Sequence, residues 1–513
     1  METFVGSWRK SDMEVIHHHH HLFLYVLLFV VYFFSCTESL SRRDFPAGFI
    51  FGGASSAYQG LHFNMEKDLA YGTLSLENIQ GDIALMKEIG LDFFRFSISW
   101  SRILPKGKIS GGVNQKGITF YNNLINELLS QGLKPFVTLF HWDVPQALEE
   151  EYGGFLSQNI VDDYRNYVDV CFKKFGDRVK YWVTINEPNT FSIGGYVTGI
   201  EAPGRCSNYI GNCTYGNSGI EPYIVGHNLL LSHATAVKLY KEKYQESQMG
   251  EIGISVQSFW NLPKYQTVAS IKAAFRGLDF RFGWFVDPII FGDYPEIMRV
   301  LVGTRLPIFT ESQSKMLKGS LDFLGVNYYT ARYADDSTSS SSVNLSYTTD
   351  SNVNLTTTLF NATAEKDGIP VGQPTAADWL FVYPRGIREL MLYVKKKYNN
   401  PPIYITENGV DDNDSLPIQK ALNDSLRIKY YHCHLSNLLK AIRAGVDVRG
   451  YFAWSFLDNF EWESGYTLRF GITYVDYKNG LTRYLKSSAF WFKNFLQKEN
   501  VIRSKPLLYQ DSS

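Results

Sequence analysis

The sequence predicts an α/β fold, a single (β/α)8 TIM barrel with long βα loops, from the order and character of its strand-like runs. Eight short runs rich in β-branched and aromatic residues recur along the chain, and stretches of helical periodicity separate them. The runs are apolar on both faces, as strands of a buried parallel sheet are. No linker or shift of composition divides the chain, so strands alternating with helices predict one barrel.

The eight strand candidates follow one another at intervals that leave room for a helix and loops. In order they are FIFGGASSAY, DFFRFSIS, KPFVTLFHW, YWVTINE, EIGISVQSFW, DFLGVNYYT, PIYITENG and VRGYFAWSF. Among the helical stretches, TFYNNLINELLSQG precedes the third candidate and LRIKYYHCHLSNLLKAIRAG precedes the eighth. Both end at glycine, as helices commonly do, which supports the alternation.

Composition and charge exclude several classes of protein. Of 513 residues, 45% are hydrophobic and 20% are charged, which suits a globular chain with a large buried core. Fifty Lys and Arg against 51 Asp and Glu give a net charge of −1, so nucleic-acid binding has no electrostatic basis. Aromatic residues reach 15%, and the flat apolar faces of Trp and Tyr suit sugar rings.

The N-terminus has the pattern of a cleavable signal peptide. Arg9 and Lys10 precede an apolar run over residues 22–34, which is too short to span a membrane comfortably. The predicted organisation is a signal peptide and leader over residues 1–40, the (β/α)8 domain over 41–500 and a C-terminal tail over 501–513. We therefore expect the secretory pathway, an extracellular or vacuolar destination, and no membrane association after signal removal.

The acceptor sites for N-glycosylation agree with passage through the secretory pathway, and so do the cysteines. The six Asn-x-Ser/Thr sites are Asn212, Asn344, Asn354, Asn361, Asn413 and Asn423. Three of them fall in a Ser/Thr-rich stretch over residues 335–363, which predicts an exposed loop. Cys206 and Cys213 lie in a Gly/Asn-rich loop and predict a disulfide. Cys171 and Cys433 lie in helix-like apolar surroundings and predict buried free thiols.

Polar groups collect where the predicted strands end, at the edge of such a barrel that carries chemistry. Two runs end at a glutamate, Glu187 in VTINEPN and Glu407 in YITENGV, which suggests two carboxylates meeting in one site. A lone glutamate at a strand end is more often a salt-bridge partner or a helix cap. Here many other ends are polar or aromatic too: Gln59, Arg95, His141, Trp142, Asn186, Asn327, Tyr329, Asn408, Trp454, Glu461 and Trp462.

These stretches resemble the family 1 glycoside hydrolases, and more closely the plant secretory β-glucosidases. TINEPN is similar to the acid/base motif of the family and ITENG to its nucleophile motif. SISWSRILP, TLFHWDVPQAL and YFAWSFLDNFEWESGY are similar to its other signatures, and the resemblance runs from residue 44 to 495. It implies a retaining β-glucosidase that hydrolyses terminal non-reducing β-D-glucosyl residues of small glucosides by double displacement. It implies no metal ion and no organic cofactor.

The resemblance also implies roles for the residues at the strand ends. Glu187 is expected as the acid/base, with a pKa raised by an enclosed site and a nearby negative charge, and Glu407 as the nucleophile. Arg95 and Tyr329 are expected to donate hydrogen bonds to Glu407, with Asn327 as a further supporting residue. The expected sugar contacts are Asn186 to the 2-hydroxyl, Gln59, His141, Glu461 and Trp462 to other hydroxyls, Trp454 as a stacking floor and Phe470 in the wall. Because position 187 is Glu, an O-glucosidase is expected rather than a myrosinase.

The first βα loop departs from the family pattern. Only Gly60 to Gly81 separates Gln59 from DIALMKEIG, where the family has a longer connection with Glu-Gly-Ala and Trp-Asp-x-Phe patterns. The shortened loop leaves open a catalytically impaired carbohydrate-binding or interaction protein. A transglucosidase that uses the same intermediate as the hydrolase is a further alternative. The sequence specifies neither the aglycone nor the oligomeric state.

Overall fold

The computed structural model of the protein describes residues 39–60, 76–337, 344–355 and 365–497. The predicted signal peptide, except for its last two residues, and the predicted tail over 501–513 lie outside these ranges. Asn361 and most of the first βα loop, residues 61–75, lie outside them as well.

Eight parallel strands form a closed barrel at the centre of the fold. They are β1 (Ile50–Ala54), β2 (Phe93–Ser97), β3 (Lys134–Phe140), β4 (Tyr181–Asn186), β5 (Glu251–Pro263), β6 (Phe323–Asp336), β7 (Ile403–Asn408) and β8 (Val448–Trp454). Each strand pairs with the next, and β8 pairs with β1 to close the ring. All eight strand-like runs of the sequence are strands of this barrel, so the (β/α)8 prediction is confirmed.

The strands form where apolar residues leave no face for water. Every residue of β2 and of β7 is buried. Inside the barrel, the ring of Phe136 on β3 lies 4.8 Å from that of Phe452 on β8 and 5.4 Å from that of Tyr404 on β7. The interior is therefore filled by side chains and leaves the chemistry to the rim.

Helices connect the strands and surround the barrel. The longer ones are Leu76–Ile89, Gln115–Ser130, Asn159–Phe175, Glu221–Lys243, Val268–Leu278, Trp284–Phe291, Arg385–Lys397, Ser425–Arg443 and Ser487–Phe495. The shorter ones are Ala57–Gly60, Trp100–Ile103, Gln146–Tyr152, Pro188–Ile193, Gln245–Gln248, Glu296–Val302, Glu311–Leu317, Tyr347–Asp350 and Ile418–Leu422. Gly194–Thr198 and Asp279–Gly283 form π-helical turns. Among the helices of the described ranges, none has the length and apolar character that crossing a membrane requires.

Short strands lie outside the barrel, and one of them corrects a prediction. Part of the Ser/Thr-rich stretch forms a helical turn, Tyr347–Asp350, and a strand, Val353–Leu355, that pairs antiparallel with β6. The prediction of a loop throughout is wrong there, because Asp350 forms an ion pair with Arg305 at 2.6 Å, a contact that composition does not reveal. The other short strands pair as Glu365–Lys366 with Ile369–Pro370, Gln373–Pro374 with Phe381–Val382, Asp412–Asn413 with Leu468–Arg469, and Thr473–Asp476 with Thr482–Leu485.

The cysteines agree with the sequence at three positions and differ at a fourth. Cys206 and Cys213 form a disulfide with an S–S distance of 2.07 Å, and Cys171 is a buried free thiol. Cys433 is buried but disulfide-bonded, so the prediction of a free thiol there is wrong. Apolar neighbours in the sequence predicted the burial of this residue, and they carry no information about a partner elsewhere in the chain.

Candidate active site

The carboxyl ends of the barrel strands bring the two predicted glutamates to one rim. Glu187 directly follows β4, and Glu407 lies near the end of β7. Both side chains are buried, with 6% and 4% of their surface exposed. The two carboxyl groups differ in the hydrogen-bond donors that contact them.

Glu407 is held by two donors from other strands. Arg95 of β2 donates from Nη1 to Oε1 at 2.6 Å, and the hydroxyl of Tyr329 on β6 donates to Oε2 at 2.7 Å. Burial, and next the charge of Glu407, raise the pKa of Tyr329 well above its usual value, so the phenol keeps its proton and remains a donor. The guanidinium cation balances the negative charge of the carboxylate, and the two bonds fix both of its oxygens.

The carboxyl group of Glu187 accepts a hydrogen bond from a neutral amide, and the backbone of this residue has an unusual conformation. Its φ of 43° and ψ of 58° lie in the left-handed region, which is uncommon for residues other than glycine and recurs at functional sites. Its Oε1 accepts a hydrogen bond from Nδ2 of Asn327 at 2.7 Å. Burial, and next the charge of Glu407, raise the pKa of Glu187 to about 7. The group therefore keeps its proton where an ordinary glutamate has lost it.

A hydrogen-bonded bridge of Arg95, Asn186 and Asn327 connects the two glutamates. Nη2 of Arg95 donates to Oδ1 of Asn186 at 2.7 Å, and Nδ2 of Asn327 donates to the same oxygen at 3.2 Å. Asn327 is fixed in turn by Thr406, whose hydroxyl donates to its Oδ1 at 2.6 Å. The two carboxyl groups thus have a defined relative position.

A rim cluster of polar and aromatic side chains surrounds this pair; it consists of Gln59, His141, Asn186, Trp454, Glu461, Trp462 and Phe470. Nε2 of His141 lies 3.0 Å from Nδ2 of Asn186, and its Nδ1 is buried without a partner among the described residues. Burial, and next the charge of Arg95, hold the pKa of His141 well below its usual value, so the ring is neutral. A neutral imidazole with a free nitrogen is suited to bind a hydroxyl group.

The remaining members of the rim cluster supply further polar groups and flat rings. Nε2 of Gln59 donates to Oε2 of Glu461 at 3.4 Å, and burial, with nearby carboxylates, raises the pKa of Glu461 well above its usual value. The ring of His141 lies 6.0 Å from that of Trp454 and 5.9 Å from that of Trp462. Phe470 lies 6.2 Å from Tyr329, so it borders the nucleophile side. The structure thus brings the two glutamates, Arg95, Asn327 and Tyr329 together with the rim cluster at one end of the barrel.

Several residues around Glu187 were missed by the sequence. The hydroxyl of Thr190 contacts Glu187 and accepts a hydrogen bond from Nη2 of Arg281 at 2.9 Å. Nε of Arg281 donates to Gln257 at 2.8 Å. Arg281 belongs to the π-helical turn Asp279–Gly283, and such turns occur often at functional sites but have no sequence signature. Trp379 was missed as well; its ring stacks on Phe470 at 6.5 Å.

The geometry of this rim matches one chemical task. Cleavage of a glycosidic bond needs an acid that protonates the departing oxygen and, beside it, a carboxylate that attacks the sugar or activates water. A carboxyl group that holds its proton to about pH 7 next to a carboxylate paired with arginine provides both. The barrel and its rim therefore define a glycoside hydrolase. The model of Glycosyl hydrolase family 1 matches residues 64–501, and the chain belongs to that family.

Comparison with known proteins narrows the class of enzyme. β-Glucosidase 17 of Arabidopsis thaliana is 55% identical over an alignment of 488 residues that covers 90% of this chain and 93% of that protein. β-Glucosidase 12 of Oryza sativa subsp. indica is 55% identical over an alignment of 484 residues that covers 90% of this chain and 94% of that protein. The crystal structure of a rice β-glucosidase, 45% identical, has a TM-score of 0.84 and covers 90% of this chain and all of its own. The chain is thus an O-glycosyl hydrolase of the β-glucosidase type, similar to plant enzymes.

Proposed function

We propose that the protein is a retaining β-glucosidase that hydrolyses terminal non-reducing β-D-glucosyl residues of small glucosides in two displacements. The contrast between the two glutamates carries this proposal: Glu407 is paired with Arg95 at 2.6 Å, whereas the pKa of Glu187 is raised to about 7. In the first step Glu407 attacks the anomeric carbon while Glu187 gives its proton to the departing oxygen. In the second, Glu187 takes a proton from water, which attacks the glucosyl ester and releases glucose.

The charge of Glu407 affects the pKa of Glu187, and this electrostatic coupling supports both steps of the proposed mechanism. The negative charge of Glu407 is one of the two causes that raise the pKa of Glu187, the other and larger being burial. Formation of the ester removes that charge, so the pKa of Glu187 falls and the carboxylate becomes available as a base. The same side chain therefore serves as acid in the first step and as base in the second.

The rim cluster would hold the glucose ring. Asn186 is placed between Arg95 and Asn327 and would bind the 2-hydroxyl beside the reacting carbon. The unpartnered Nδ1 of His141, together with Gln59, Glu461 and Trp462, would bind the other hydroxyls. The indole of Trp454 would stack on the sugar, with Phe470 in the wall.

Two solved relatives support a glucosyl intermediate and a glucose site. A Glu-to-Gln variant of the rice β-glucosidase, 45% identical with a TM-score of 0.84, is a covalent complex with glucose. A β-glucosidase of the fungus Humicola insolens, 40% identical with a TM-score of 0.82, is a complex with glucose. Both observations concern those proteins; for this chain the first favours a covalent step over direct attack by water, and the second favours a site for glucose.

Glucose release from 4-nitrophenyl β-D-glucoside, together with trapping of the intermediate, tests the proposal. A 2-deoxy-2-fluoro glucoside with a good leaving group should form a stable ester on Glu407, because fluorine slows hydrolysis of the intermediate. Mass spectrometry of the peptide that contains ITENG would locate it. Labelling of another residue would contradict the assignment of the nucleophile. Glucose binding without glucose release would favour a carbohydrate-binding protein, and faster transfer to an added alcohol than to water would favour a transglucosidase.

We also propose that the protein passes through the secretory pathway. The side chains of Asn212, Asn344, Asn354, Asn413 and Asn423 are exposed, as glycan acceptors must be. The Cys206–Cys213 disulfide is typical of an oxidising compartment. N-terminal sequencing of the protein from its natural source should find a start near residue 40, and enzymatic removal of N-glycans should lower its mass. A mature chain that keeps residues 1–40 and carries no glycan would contradict this route.

A further inference from the structure

Arg281 and Arg332 form no ion pair within the described residues and lie on one aromatic ring, and Arg281 is close enough to Glu187 to affect its pKa. The guanidinium carbon of Arg281 is 4.8 Å from the ring centre of Phe259, and that of Arg332 is 4.0 Å from the same centre. Cations favour the face of an aromatic ring, so Phe259 holds both side chains in place. The arrangement concentrates positive charge in one small region.

Several N–H groups of this pair are unused. Arg281 donates from Nε to Gln257 and from Nη2 to Thr190, and its Nη1 has no partner within the described ranges. Arg332 is half-buried and donates no hydrogen bond to any described residue, and its Nε is buried without a partner. Burial, and next the charge of Arg281, lower the pKa of Arg332 to about 9, so it is still charged at neutral pH. Keeping two like charges in a cleft without an anion is unfavourable, and an anionic ligand would remove that cost.

The position of Arg281 and Arg332 assigns them to the side of the cleft from which the leaving group departs. β5 and β6 stay paired past the rim, from Gln257 and Asn327 to Asn261 and Arg332, with a shift of register between Ser258 and Trp260. Arg281 is close enough to Glu187 to affect its pKa and contacts Thr190, which contacts Glu187. Because Glu187 would protonate the departing oxygen, whatever is bonded to that oxygen lies on this side of the cleft.

We propose that Arg281 and Arg332 form an anion site in the aglycone region, and that the enzyme prefers glucosides whose aglycone carries a carboxylate. The proposal rests on the proposed function and names the substrate class of the same site. A guanidinium group binds a planar carboxylate through two parallel N–H···O bonds, and Arg332 donates no hydrogen bond to a described residue that such a ligand would have to replace. Phe259 keeps the two guanidinium groups on one aromatic support, so the site is ordered before the ligand arrives.

Two substrates that differ at one substituent of the aglycone test the proposal. They are 4-carboxyphenyl β-D-glucoside and its methyl ester, which share the glycosidic bond and the aromatic ring. The wild-type kcat/KM should be about tenfold or more higher for the acid at low ionic strength, because hydrogen bonds to charged groups are the stronger ones. Added salt should reduce the preference, since it screens the attraction.

Substitution of Arg332 shows whether the preference comes from this site. Arg332→Gln should bring kcat/KM for the acid down to that for the ester and leave the ester within about twofold, because the side chain donates no hydrogen bond inside the described structure. Arg332→Lys, which keeps the charge and loses the planar fork, should keep part of the preference. Arg385→Gln removes the same charge from a side chain that is 69% exposed and should leave the preference unchanged.

The outcomes separate this proposal from the proposed function. If Arg332→Gln leaves the ratio of kcat/KM for the acid and the ester at its wild-type value, the anion site is wrong and the β-glucosidase stands. If neither substrate releases glucose, both are wrong. If Arg332→Gln does not fold, inhibition of the wild-type enzyme tests the anion site instead. 4-Hydroxybenzoate should inhibit more strongly than its methyl ester, and equal inhibition would overturn the anion site.

Discussion

The ends of β4 and β7 present the same side chain in opposite electrostatic surroundings. Glu407 at β7 receives a guanidinium at 2.6 Å and a phenol at 2.7 Å. Glu187 after β4 receives the neutral amide of Asn327 at 2.7 Å, and burial dominates its pKa. In the proposed mechanism the role of each glutamate would therefore be set by the donors that neighbouring strands supply, rather than by its residue type or its place on a strand.

Removal of the carboxylate at β7 should have the largest effect. Glu407→Gly should lower kcat by about 10⁴-fold or more for every glucoside, since the covalent intermediate cannot form. Added azide should enter the vacated space, attack from the face that Glu407 occupied and give the α-glucosyl azide. NMR of the product measures this outcome. A β-glucosyl azide would place Glu407 on the other face of the sugar and reverse the comparison.

Replacement of the carboxyl group after β4 by an amide should have a smaller effect, and its size should depend on the leaving group. Glu187→Gln should lower kcat/KM by about 10²- to 10⁴-fold for alkyl glucosides, since general acid catalysis contributes that much. An activated 2,4-dinitrophenyl glucoside needs little protonation and should still form the ester. Azide should then restore turnover and give the β-glucosyl azide. Equal losses on both substrates without rescue would remove the distinction between the two glutamates.

Weakening the charged surroundings of Glu407 should have a moderate effect. Tyr329→Phe removes one of its two donors and should lower kcat/KM by about 10- to 100-fold, as expected for a hydrogen bond to a charged group. The loss should be similar for alkyl and dinitrophenyl glucosides, because the change concerns the nucleophile and leaves the acid intact. Tyr215→Phe, at a side chain that is 71% exposed, is the matched control. A loss confined to alkyl glucosides would contradict this division.

The raised pKa of Glu187 predicts the direction of the pH dependence. Because that pKa is raised to about 7, the protonated form persists up to this pH and is lost above it. For alkyl glucosides kcat/KM should therefore fall about tenfold per pH unit above pH 7. In Glu187→Gln the alkaline decline should disappear when the dinitrophenyl glucoside is used. A decline that begins near pH 5 in the wild type would show that burial leaves this carboxyl group unperturbed.

Much of this site could be predicted from sequence, and the part that could not has a physical explanation. The eight strands were predicted because their runs are apolar on both faces, and the two glutamates because they end such runs. Arg281 and Arg332 gave no signal, since their meeting on Phe259 depends on three separate chain segments and on a π-helical turn. The bonded state of Cys433 was missed for a similar reason, because a cysteine pair is decided by distance in space.

The contact between Gln59 and Glu461 joins residues that are 402 positions apart, and β1 needs β8 as its neighbour. During synthesis on the ribosome, a chain that has released seven strands is an open sheet with two unpaired edges, and such edges invite aggregation. The rim cluster is complete only when residue 470 has emerged. We therefore expect a truncation before Glu461 to leave an inactive chain rather than a weaker enzyme, because the rim cluster would be incomplete.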